Sequence, residues 1–430
     1  MQVASKYAHR RVGWTTAVAA MTALLLSSCG SPGTDSPSTS SGTGDSTNTA
    51  SGTVTVWVGS WWSDNIPKIE SAWTQDHPEI TLKIEPQPID GYPDKFTASA
   101  IGGTPPDIID LDAGMFPTIA AKGLLQPLDD FVGSNGIKSS DYASAIWDAS
   151  RYQGTQYGVP DHAFASVAYY NKTVFDNAGV AYPTDSWTYD DLLEISKQLT
   201  IPGQYGIGMA ADLSDPANAM DFLAQCIWGH GGEFFNQDYT EATINSPEAV
   251  AGIAYWAEFL TKYQVAPPGT PNFTSTRDVL PLFEANQVGI ITYGAGALSE
   301  FANYPDLKYG TVQLPTGINL GGGWTMGIPV GAANPAGAQV FLKWFADAGR
   351  QAEFMPTAPG LIAANQLPPW NGEQFAIFTE AMSKSRSLPA VGAWTEMQTG
   401  IITEAQKLLT GQETPQQAAD SMASMMNSKL

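Results

Sequence analysis

The strongest constraint on the fold is the alternation of strand-like and helix-like patterns that begins at Val54. The strand patterns cover residues 54–58, 80–84 and 108–111, and the helical patterns between them cover 66–73 and 92–100. The order strand, helix, strand, helix, strand predicts a parallel, doubly wound sheet. Ligands of such sheets bind beyond the carboxyl ends of the strands, so the loops after Val58 and Leu111 are the expected ligand-binding region.

The second half of the chain carries the same kinds of element. Thr188, Ser246 and Thr414 each precede a helical pattern as a predicted N-cap, and the last two are followed by a first-turn proline. A strand is predicted for residues 288–292 and a helix for 335–345. With 430 residues the chain exceeds one ordinary domain. We therefore predict two α/β lobes, each a mainly parallel sheet flanked by helices.

The N-terminus has the features of a bacterial export signal. Residues 1–28 contain three basic residues, no acid and an apolar run shorter than the ~20 residues that span a bilayer. Leu26, Ser27 and Ser28 directly precede Cys29, the pattern of a lipobox. We predict that residues 1–28 are removed and that Cys29 carries a diacylglycerol. A buried thiol is the alternative for Cys29.

Residues 30–52 are almost entirely small and polar, which predicts a flexible linker between the lipid and the folded part. Removal of the signal leaves 17 basic and 42 acidic residues, a net charge of −25. Such an acidic protein is repelled by nucleic acid and by anionic headgroups, so the lipid is the expected membrane anchor and no nucleic-acid partner is expected. The mature chain would hold one further cysteine, Cys226, so no intrachain disulfide is possible.

Motifs of common enzyme classes are missing from the sequence. It has no Gly-x-Ser-x-Gly elbow and no phosphate-binding loop ending in Lys-Ser or Lys-Thr. The histidines do not stand at metal-ligand spacing. Tyr169 and Tyr170 point to opposite faces of a strand, which favours one core and one surface tyrosine. We expect no cofactor and no metal. A glycosidase pair among the 42 acids stays open, so a secreted carbohydrate-cleaving enzyme is the rival class.

The aromatic residues point to carbohydrate. The faces of sugar rings stack on aromatic side chains, and sugar hydroxyls pair with carboxylates and amides. Among 13 tryptophans, Trp61, Trp62, Trp228 and Trp324 stand next to turn residues and are candidate ligand contacts. Three glycines before Trp324 suggest a chain reversal that turns its indole toward a cleft. The alternative for each is a place in a core. Core positions are expected for Trp57, Trp73, Trp256 and Trp344.

Six segments together resemble the family 1 extracellular solute-binding proteins, the carbohydrate receptors of ABC importers related to the maltodextrin-binding protein. The resemblance runs from Val54 to about Asn427, and the six segments occur in the same order as in the family. Its segments are GGTPPDIIDLD (102–112), AAKGLLQPLDDF (120–131), YGVPDHAFASVAYYNKTVFDNAGV (157–180), WGHGGEFFN (228–236), FEANQVGIITYG (283–294) and GGWTMGIPVGAANPAGAQVFLKWFA (322–346).

This resemblance implies a periplasmic-binding-protein-like fold of type II, in which two lobes close on a ligand by hinge rotation. The chain would cross between lobes after Asp161, near Thr292 and near Phe345. The N-terminal lobe would then hold residues 53–162 and 293–345, and the C-terminal lobe residues 163–292 and 346–430.

The resemblance also implies a set of ligand contacts in the cleft between the lobes. They are Trp61, Trp62, Asp112, Asp161, His162, Trp228, Tyr293, Gly323, Trp324 and Trp394. Two alternatives stay open: Asp112 as the N-cap of a helix over 113–121, and Asp161 and His162 as a solvated hinge turn.

The function implied is that of a monomeric, non-enzymatic lipoprotein on the outer face of the bacterial cytoplasmic membrane. It would capture a small carbohydrate, an oligosaccharide by expectation, and deliver it to the transmembrane permease subunits of an ABC importer. A receptor for a polyamine or a peptide is a further alternative. An anionic ligand is disfavoured, because only four arginines follow the signal.

Overall fold

Two β-sheets form the framework of the computed structural model, which describes residues 50–88 and 91–430. The predicted signal, Cys29 and linker residues 30–49 lie outside these residues. The strands are β1 (Gly52–Gly59), β2 (Ile80–Gln87), β3 (Ile108–Asp112), β4 (Arg151–Tyr152), β5 (Thr155–Gln156), β6 (Val159–Ala165), β7 (Val167–Asn171), β8 (Tyr205–Ile207), β9 (Val288–Tyr293), β10 (Tyr309–Val312) and β11 (Gly321–Gly327).

Helices flank both sheets. Within the described residues they are α1 (Ile66–Asp76), α2 (Tyr92–Ile101), α3 (Phe116–Ala121), α4 (Asp129–Ser134), α5 (Ser144–Ala149), α6 (Lys172–Ala178), α7 (Tyr189–Leu199), α8 (Pro216–Gly229), α9 (Pro247–Thr261), α10 (Leu280–Glu284), α11 (Ala297–Phe301), α12 (Pro335–Phe345), α13 (Ala348–Phe354), α14 (Glu373–Lys384), α15 (Trp394–Leu409) and α16 (Pro415–Asn427).

The first sheet has the order β2-β1-β3-β11-β6. Strands β1, β2 and β3 are parallel, as the alternating pattern predicts, and α1 and α2 connect them. Strand β11 runs antiparallel to both β3 and β6. Four of the five strands thus share one direction, and their carboxyl ends lie at one edge of the sheet.

The second sheet has the order β10-β7-β9-β8. Strand β8 is parallel to β9, while β7 is antiparallel to both of its neighbours. Three of the four strands therefore share one direction. In each sheet all strands but one share a direction, and helices flank both sheets, which confirms the predicted α/β fold class. The single reversed strand makes two of the three pairings in the second sheet antiparallel.

The first passage between the sheets is short, because Ser166 alone separates β6 from β7. The family resemblance implies a passage that follows Asp161, and a hinge turn is the alternative for Asp161 and His162. Asp161 and His162 instead lie inside β6, where the two residues are 1% and 5% exposed. The solvated hinge turn considered for these two residues is therefore not what the structure shows.

The other two passages come later than expected. Strand β10 still pairs with β7, so the chain returns to the first sheet only at β11 and not near Thr292. After α12 the chain stays beside the first sheet: the Gln351 amide donates to the Pro160 carbonyl oxygen at 3.2 Å. Helix α14 then packs on β6 of the first sheet and on β7 of the second. The last passage between the sheets therefore comes after α13, the helix that follows Phe345. No local sequence pattern identifies the residues at which the chain passes from one lobe to the other.

Helix starts follow the sequence closely. Thr188 and Thr414 form capping boxes at α7 and α16, and Ser246 caps α9. Each side chain accepts a hydrogen bond from an otherwise unpaired backbone N–H of the first turn. Helix α12 occupies the predicted residues 335–345.

The described residues contain no helix that is both long and apolar enough to cross a membrane. They also hold no group of three or more potential metal ligands. Cys226 is a buried free thiol in α8. Tyr169 is fully buried and Tyr170 is half-buried, in line with their opposite orientations in β7.

Candidate ligand-binding site

Polar and aromatic side chains meet at the carboxyl edge of the first sheet, where parallel sheets bind ligands. Asp112 ends β3, and Trp61 lies in the turn that follows β1. Trp324 of β11 is the partner of Asp112 in one ladder and of His162 in the other. Paired residues of neighbouring strands lie side by side, so the ladders place these three side chains together.

Aromatic rings form the wall of this site. The indoles of Trp61 and Trp324 meet edge to face, with ring centroids 4.2 Å apart and an interplanar angle of 80°. The His162 ring stacks against Trp324 at 6.0 Å, and Tyr92 lies nearly parallel to it at 6.4 Å. Trp61 and Trp324 are both half-buried, so part of each indole remains open to a ligand. This arrangement suits the apolar face of a sugar ring.

The glycines before Trp324 have a packing role that differs from the chain reversal we expected. Residues 321–327 form an interior strand of the sheet and continue through Trp324 without a chain reversal. A methyl group on Gly323 would collide with the His162 carbonyl oxygen and lie 2.6 Å from Ile146. One on Gly322 would lie 2.8 Å from the Phe164 ring. Gly323 therefore has no side chain for a ligand, and its absence of a Cβ lets β11 approach β6 beside His162.

Asp112 has two roles in the structure. One carboxylate oxygen accepts a hydrogen bond from the Gly114 N–H at 2.9 Å, so Asp112 caps the short helical turn 113–115. The side chain is still half-buried and adjacent to Trp324. Burial raises the pKa of Asp112 to about 6, while the Gly114 N–H and His162 act in the opposite direction. A carboxylate in this position can accept hydrogen bonds from a ligand.

Asp161 directly precedes His162 in β6 and contacts its ring. One of its oxygens is 3.2 Å from Nδ1 of His162, and the other is buried without a hydrogen-bond partner among the described residues. Asp161 sits at the irregular point where the ladder between β11 and β6 skips a residue. The contact with His162 orients the imidazole that stacks on Trp324.

Sequence reasoning missed Asp110 and Tyr92. Asp110 is fully buried in β3, where burial, Asp161 and Asp112 hold its pKa well above the usual range. The indole N–H of Trp62 is the polar group that acts to lower the pKa of this carboxyl group, although the two do not meet hydrogen-bond geometry. The Tyr92 hydroxyl is also buried, close to the backbone of Asp110, and its pKa is raised by burial and by the charge of Asp110. An acid inside the apolar segment 108–111 was the available signal for Asp110.

The second lobe contributes a polar patch beside the first passage. Asp221 of α8 is 8% exposed and accepts a hydrogen bond from Gln225 at 2.6 Å. Burial raises the pKa of Asp221 to about 6, and nearby Ser166 and Thr292 act to lower it. Tyr293 follows Thr292 at the end of β9 and is half-buried. Burial, with Asp215 next in effect, raises the pKa of Tyr293 to about 12.

Three predicted contacts lie elsewhere. Trp62 is 1% exposed and packs on Phe345 in the core of the first lobe. Trp394 is 1% exposed and packs edge to face on Phe234. Both indoles therefore lie in hydrophobic cores, which was the alternative to a ligand contact. Phe345 of α12 covers Trp62, whereas Phe234 and Phe235, from the segment between α8 and α9, cover Trp394.

Trp228 is 3% exposed and lies at the end of α8. The Arg386 guanidinium covers its ring at 4.7 Å and pairs with Glu233. With Phe235 and Tyr239, among others, it lines a surface cavity of about 370 Å³ whose lining residues include none of the Trp324 group. In this structure, then, Trp228 is separate from the aromatic wall.

Known proteins share the family and the fold of this chain. Residues 58–352 match the family model described as bacterial extracellular solute-binding protein. A putative binding protein of Brucella abortus is 24% identical over 81% of this chain and 85% of that protein. The diacetylchitobiose binding protein DasA of Streptomyces coelicolor is 26% identical over 68% of each chain.

Among solved structures, an ABC substrate-binding protein of Listeria monocytogenes in complex with cycloalternan superimposes with a TM-score of 0.77. It is 23% identical, and the match covers 88% of this chain and 99% of that one. Agreement of this extent at low identity shows a common fold.

Proposed function

Because this chain belongs to the bacterial extracellular solute-binding proteins, we propose that it captures an oligosaccharide between its lobes for an ABC importer. The observation that carries the proposal is the pair of indoles at the carboxyl edge of the first sheet. Trp61 and Trp324 stand almost perpendicular with centroids 4.2 Å apart, and both are partly open. They offer a stacking surface for a sugar ring, next to the carboxylate of Asp112.

The second lobe would complete the site by closing. Ser166 is the direct link between the two sheets, and the patch of Asp221, Thr292 and Tyr293 lies beside it. Hinge rotation about such short connections brings two surfaces onto one ligand. The free energy of binding offsets the free-energy cost of closing the lobes. Hydroxyl and carboxylate groups on the second lobe would then bind the sugar hydroxyls that face away from the indoles.

Relatives support a sugar as the ligand class. An arabinooligosaccharide-binding protein of Halalkalibacterium halodurans is 27% identical over 47% of this chain and 44% of that protein. With the diacetylchitobiose-binding relative, it shows that the family accepts saccharides of different composition. Membrane attachment through a lipid on Cys29 and delivery to permease subunits complete the proposal.

A thermal-shift screen over a panel of mono- and oligosaccharides tests this function. A ligand that binds the native state stabilises it by RT ln(1 + [L]/Kd). A ligand concentration of about 100 times Kd therefore raises the unfolding free energy by about 2.7 kcal/mol. The saccharide should be recovered intact after incubation, when chromatography compares it with a sample that held no protein. A saccharide that is cleaved would establish the carbohydrate-cleaving enzyme instead, and a panel in which nothing stabilises the protein would contradict the proposal.

A further inference from the structure

The carboxyl edges of the two sheets meet at the first passage of the chain. Strand β6 ends at Ala165 on the carboxyl edge of the first sheet, and β7 begins at Val167, which pairs with Tyr293 at the end of β9. Ser166 alone lies between them. Because β8 is parallel to β9, the loop that follows β8 lies at the same edge of the second sheet. This loop is therefore on the side of the second lobe that adjoins the aromatic wall.

Arg277 is held against the loop that follows β8. It belongs to a π-helical turn, Ser275–Val279, and such turns are rare and occur frequently at functional sites. Its Nη2 donates a hydrogen bond at 3.0 Å to the hydroxyl of Ser214, which lies in the loop after β8. Its Nε donates to the hydroxyl of Thr274 at 3.2 Å. These two bonds place the guanidinium at the carboxyl edge of the second sheet.

Each of these two hydroxyls is fixed in turn by a carboxylate. The Thr274 hydroxyl donates to Asp278 at 3.1 Å, and the Ser214 hydroxyl donates to Asp212. Thr274 is 3% exposed, so this part of the network is shielded from water. An arginine that is fixed before the ligand arrives loses less conformational entropy on binding. The network therefore prepares Arg277 for a ligand contact.

The guanidinium keeps donors for such a contact. It has five N–H groups, and the hydrogen bonds to Ser214 and Thr274 use two of them, which leaves three. Within the part of the chain that the structure describes, the Arg277 guanidinium has no further acceptor and forms no ion pair with a carboxylate. Since Arg277 is exposed, its unused N–H groups are open to a ligand.

Carboxylates already surround the guanidinium. Asp212 and Asp278 accept hydrogen bonds from the two hydroxyls that hold it, and Asp215 lies near both Arg277 and Tyr293. The positive charge of Arg277 is therefore offset by its neighbours, and an anionic ligand would be repelled by them. The guanidinium still offers a planar fork of N–H donors, which fits two neighbouring acceptor oxygens.

These donors on the second lobe complement the acceptor on the first. An ionised carboxylate only accepts hydrogen bonds, as Asp112 does from Gly114 at 2.9 Å, and a guanidinium only donates them. A sugar hydroxyl does both. Adjacent hydroxyls of one sugar can present two oxygens to the fork while another hydroxyl donates to Asp112. A neutral saccharide between the lobes therefore suits both groups.

We propose that Arg277 is a ligand-binding residue of the second lobe, whose fork donates two hydrogen bonds to adjacent hydroxyl oxygens of a neutral saccharide. The inference rests on the proposed function, since it assigns a specificity-determining residue to that same site. Saccharides with a carboxylate or a phosphate at this position bind less tightly, because Asp212, Asp215 and Asp278 surround the fork.

Calorimetry of Arg277→Met tests the inference. The probe is the saccharide with the largest thermal shift in the panel, which includes maltotriose, arabinotriose and diacetylchitobiose. Loss of the charge-assisted hydrogen bonds should weaken its binding about 10- to 100-fold. Arg277→Lys should still lose at least about fivefold, because an ammonium keeps the charge without the fork. The matched control, Arg151→Met, removes an arginine from the separate two-stranded sheet of β4 and β5 and should keep the affinity of the unchanged protein.

Monodeoxy analogues of the same saccharide separate a direct contact from a structural role. An analogue that lacks a hydroxyl bound by Arg277 should lose about tenfold in affinity with the unchanged protein and show little loss with Arg277→Met. Equal losses with both proteins at every position would contradict the contact. Melting temperatures of the variants establish that they are folded.

A folded Arg277→Met protein that binds within about threefold of the unchanged protein, beside a weakened Trp324→Ala protein, would contradict the inference and leave the proposed function standing. Equal losses in Arg277→Met and Arg151→Met would also contradict it, because net charge alone would then act. Tighter binding of a saccharide with a uronic acid than of its neutral counterpart would overturn the assignment of a neutral ligand. Unchanged affinity in both Arg277→Met and Trp324→Ala, or a panel with no bound saccharide, would overturn the proposed function as well.

Discussion

Trp324 lies directly opposite Asp112 in the ladder between β11 and β3, so an indole and a carboxylate share the carboxyl edge of the first sheet. On the other side of Trp324, the ladder to β6 provides His162. Three strands that are distant in sequence thus place one aromatic and two polar side chains in a row. Sugar recognition needs this combination of a stacking face and hydrogen-bond acceptors.

Gly323 is expected to be essential for this row. A methyl group there would meet the His162 carbonyl oxygen and Ile146, with backbone on one side, so β11 and β6 would have to separate. We expect Gly323→Ala to lower the unfolding free energy by about 1 to 3 kcal/mol, the usual cost of overpacking. Gly133→Ala is the control, since its methyl group would meet nothing within 4 Å and it lies in α4. Urea unfolding of both variants measures the difference, and equal midpoints would contradict this role for Gly323.

Asp221 should make stability depend on pH. Its folded-state pKa is raised by burial to about 6 from a usual 3.8, so the folded protein binds a proton more readily than the unfolded chain. This contribution is fully present below about pH 4 and is lost as the pH rises through 6, with a size on the order of 2 to 3 kcal/mol. Unfolding from about pH 4.5 to 7.5 should therefore show a smaller fall for Asp221→Asn than for the unchanged protein. Parallel curves would show that Asp221 titrates normally.

Cys29 should determine membrane attachment, because the acidic folded part is repelled by anionic headgroups. Cell fractionation should find Cys29→Ser in the soluble fraction after normal export. Cys226→Ala serves as control, since this second cysteine is buried in α8. It should remain with the membranes. A Cys29→Ser protein that still pellets with membranes would show that another anchor is present.

Ligand binding should reduce the radius of gyration. The lobes are linked by short segments such as Ser166, which suits a hinge, and closure on a sugar brings both surfaces together. Small-angle scattering with and without a saturating saccharide from the thermal-shift panel measures the change. A radius that stays constant at saturation would indicate a rigid site on the first lobe alone.

The sequence predicts the fold better than the site. Regular periodicities and helix caps identify β1 and α12, because those signals are local and each residue contributes to them. The role of the glycines beside Trp324 was not predictable, because Gly323 is required by a contact with His162, which is 161 positions away in sequence. Only the paired strands reveal such a contact.

Burial is the other property that local sequence does not provide. Trp61 and Trp62 are neighbours after the same strand, yet one is half-buried at the site and the other is packed on Phe345. The difference comes from α12, which lies some 280 residues further along and supplies Phe345. Asp110 shows the reverse case, since an acid within an apolar strand is visible in the sequence, and in the structure it lies close to Asp161 and Tyr92.

Titration calorimetry of Trp324→Ala beside Trp228→Ala determines whether the Trp324 indole binds the sugar. Both tryptophans were candidate contacts, but Trp324 is half-buried at the aromatic wall and Trp228 is buried under Arg386. With the best saccharide of the panel, Trp324→Ala should lose about 5- to 150-fold in affinity, equivalent to about 1 to 3 kcal/mol. Trp228→Ala should lose about 3 to 5 kcal/mol of folding stability and keep its affinity in the folded fraction. Unchanged affinity of a folded Trp324→Ala protein would contradict the claim that a sugar stacks on this indole.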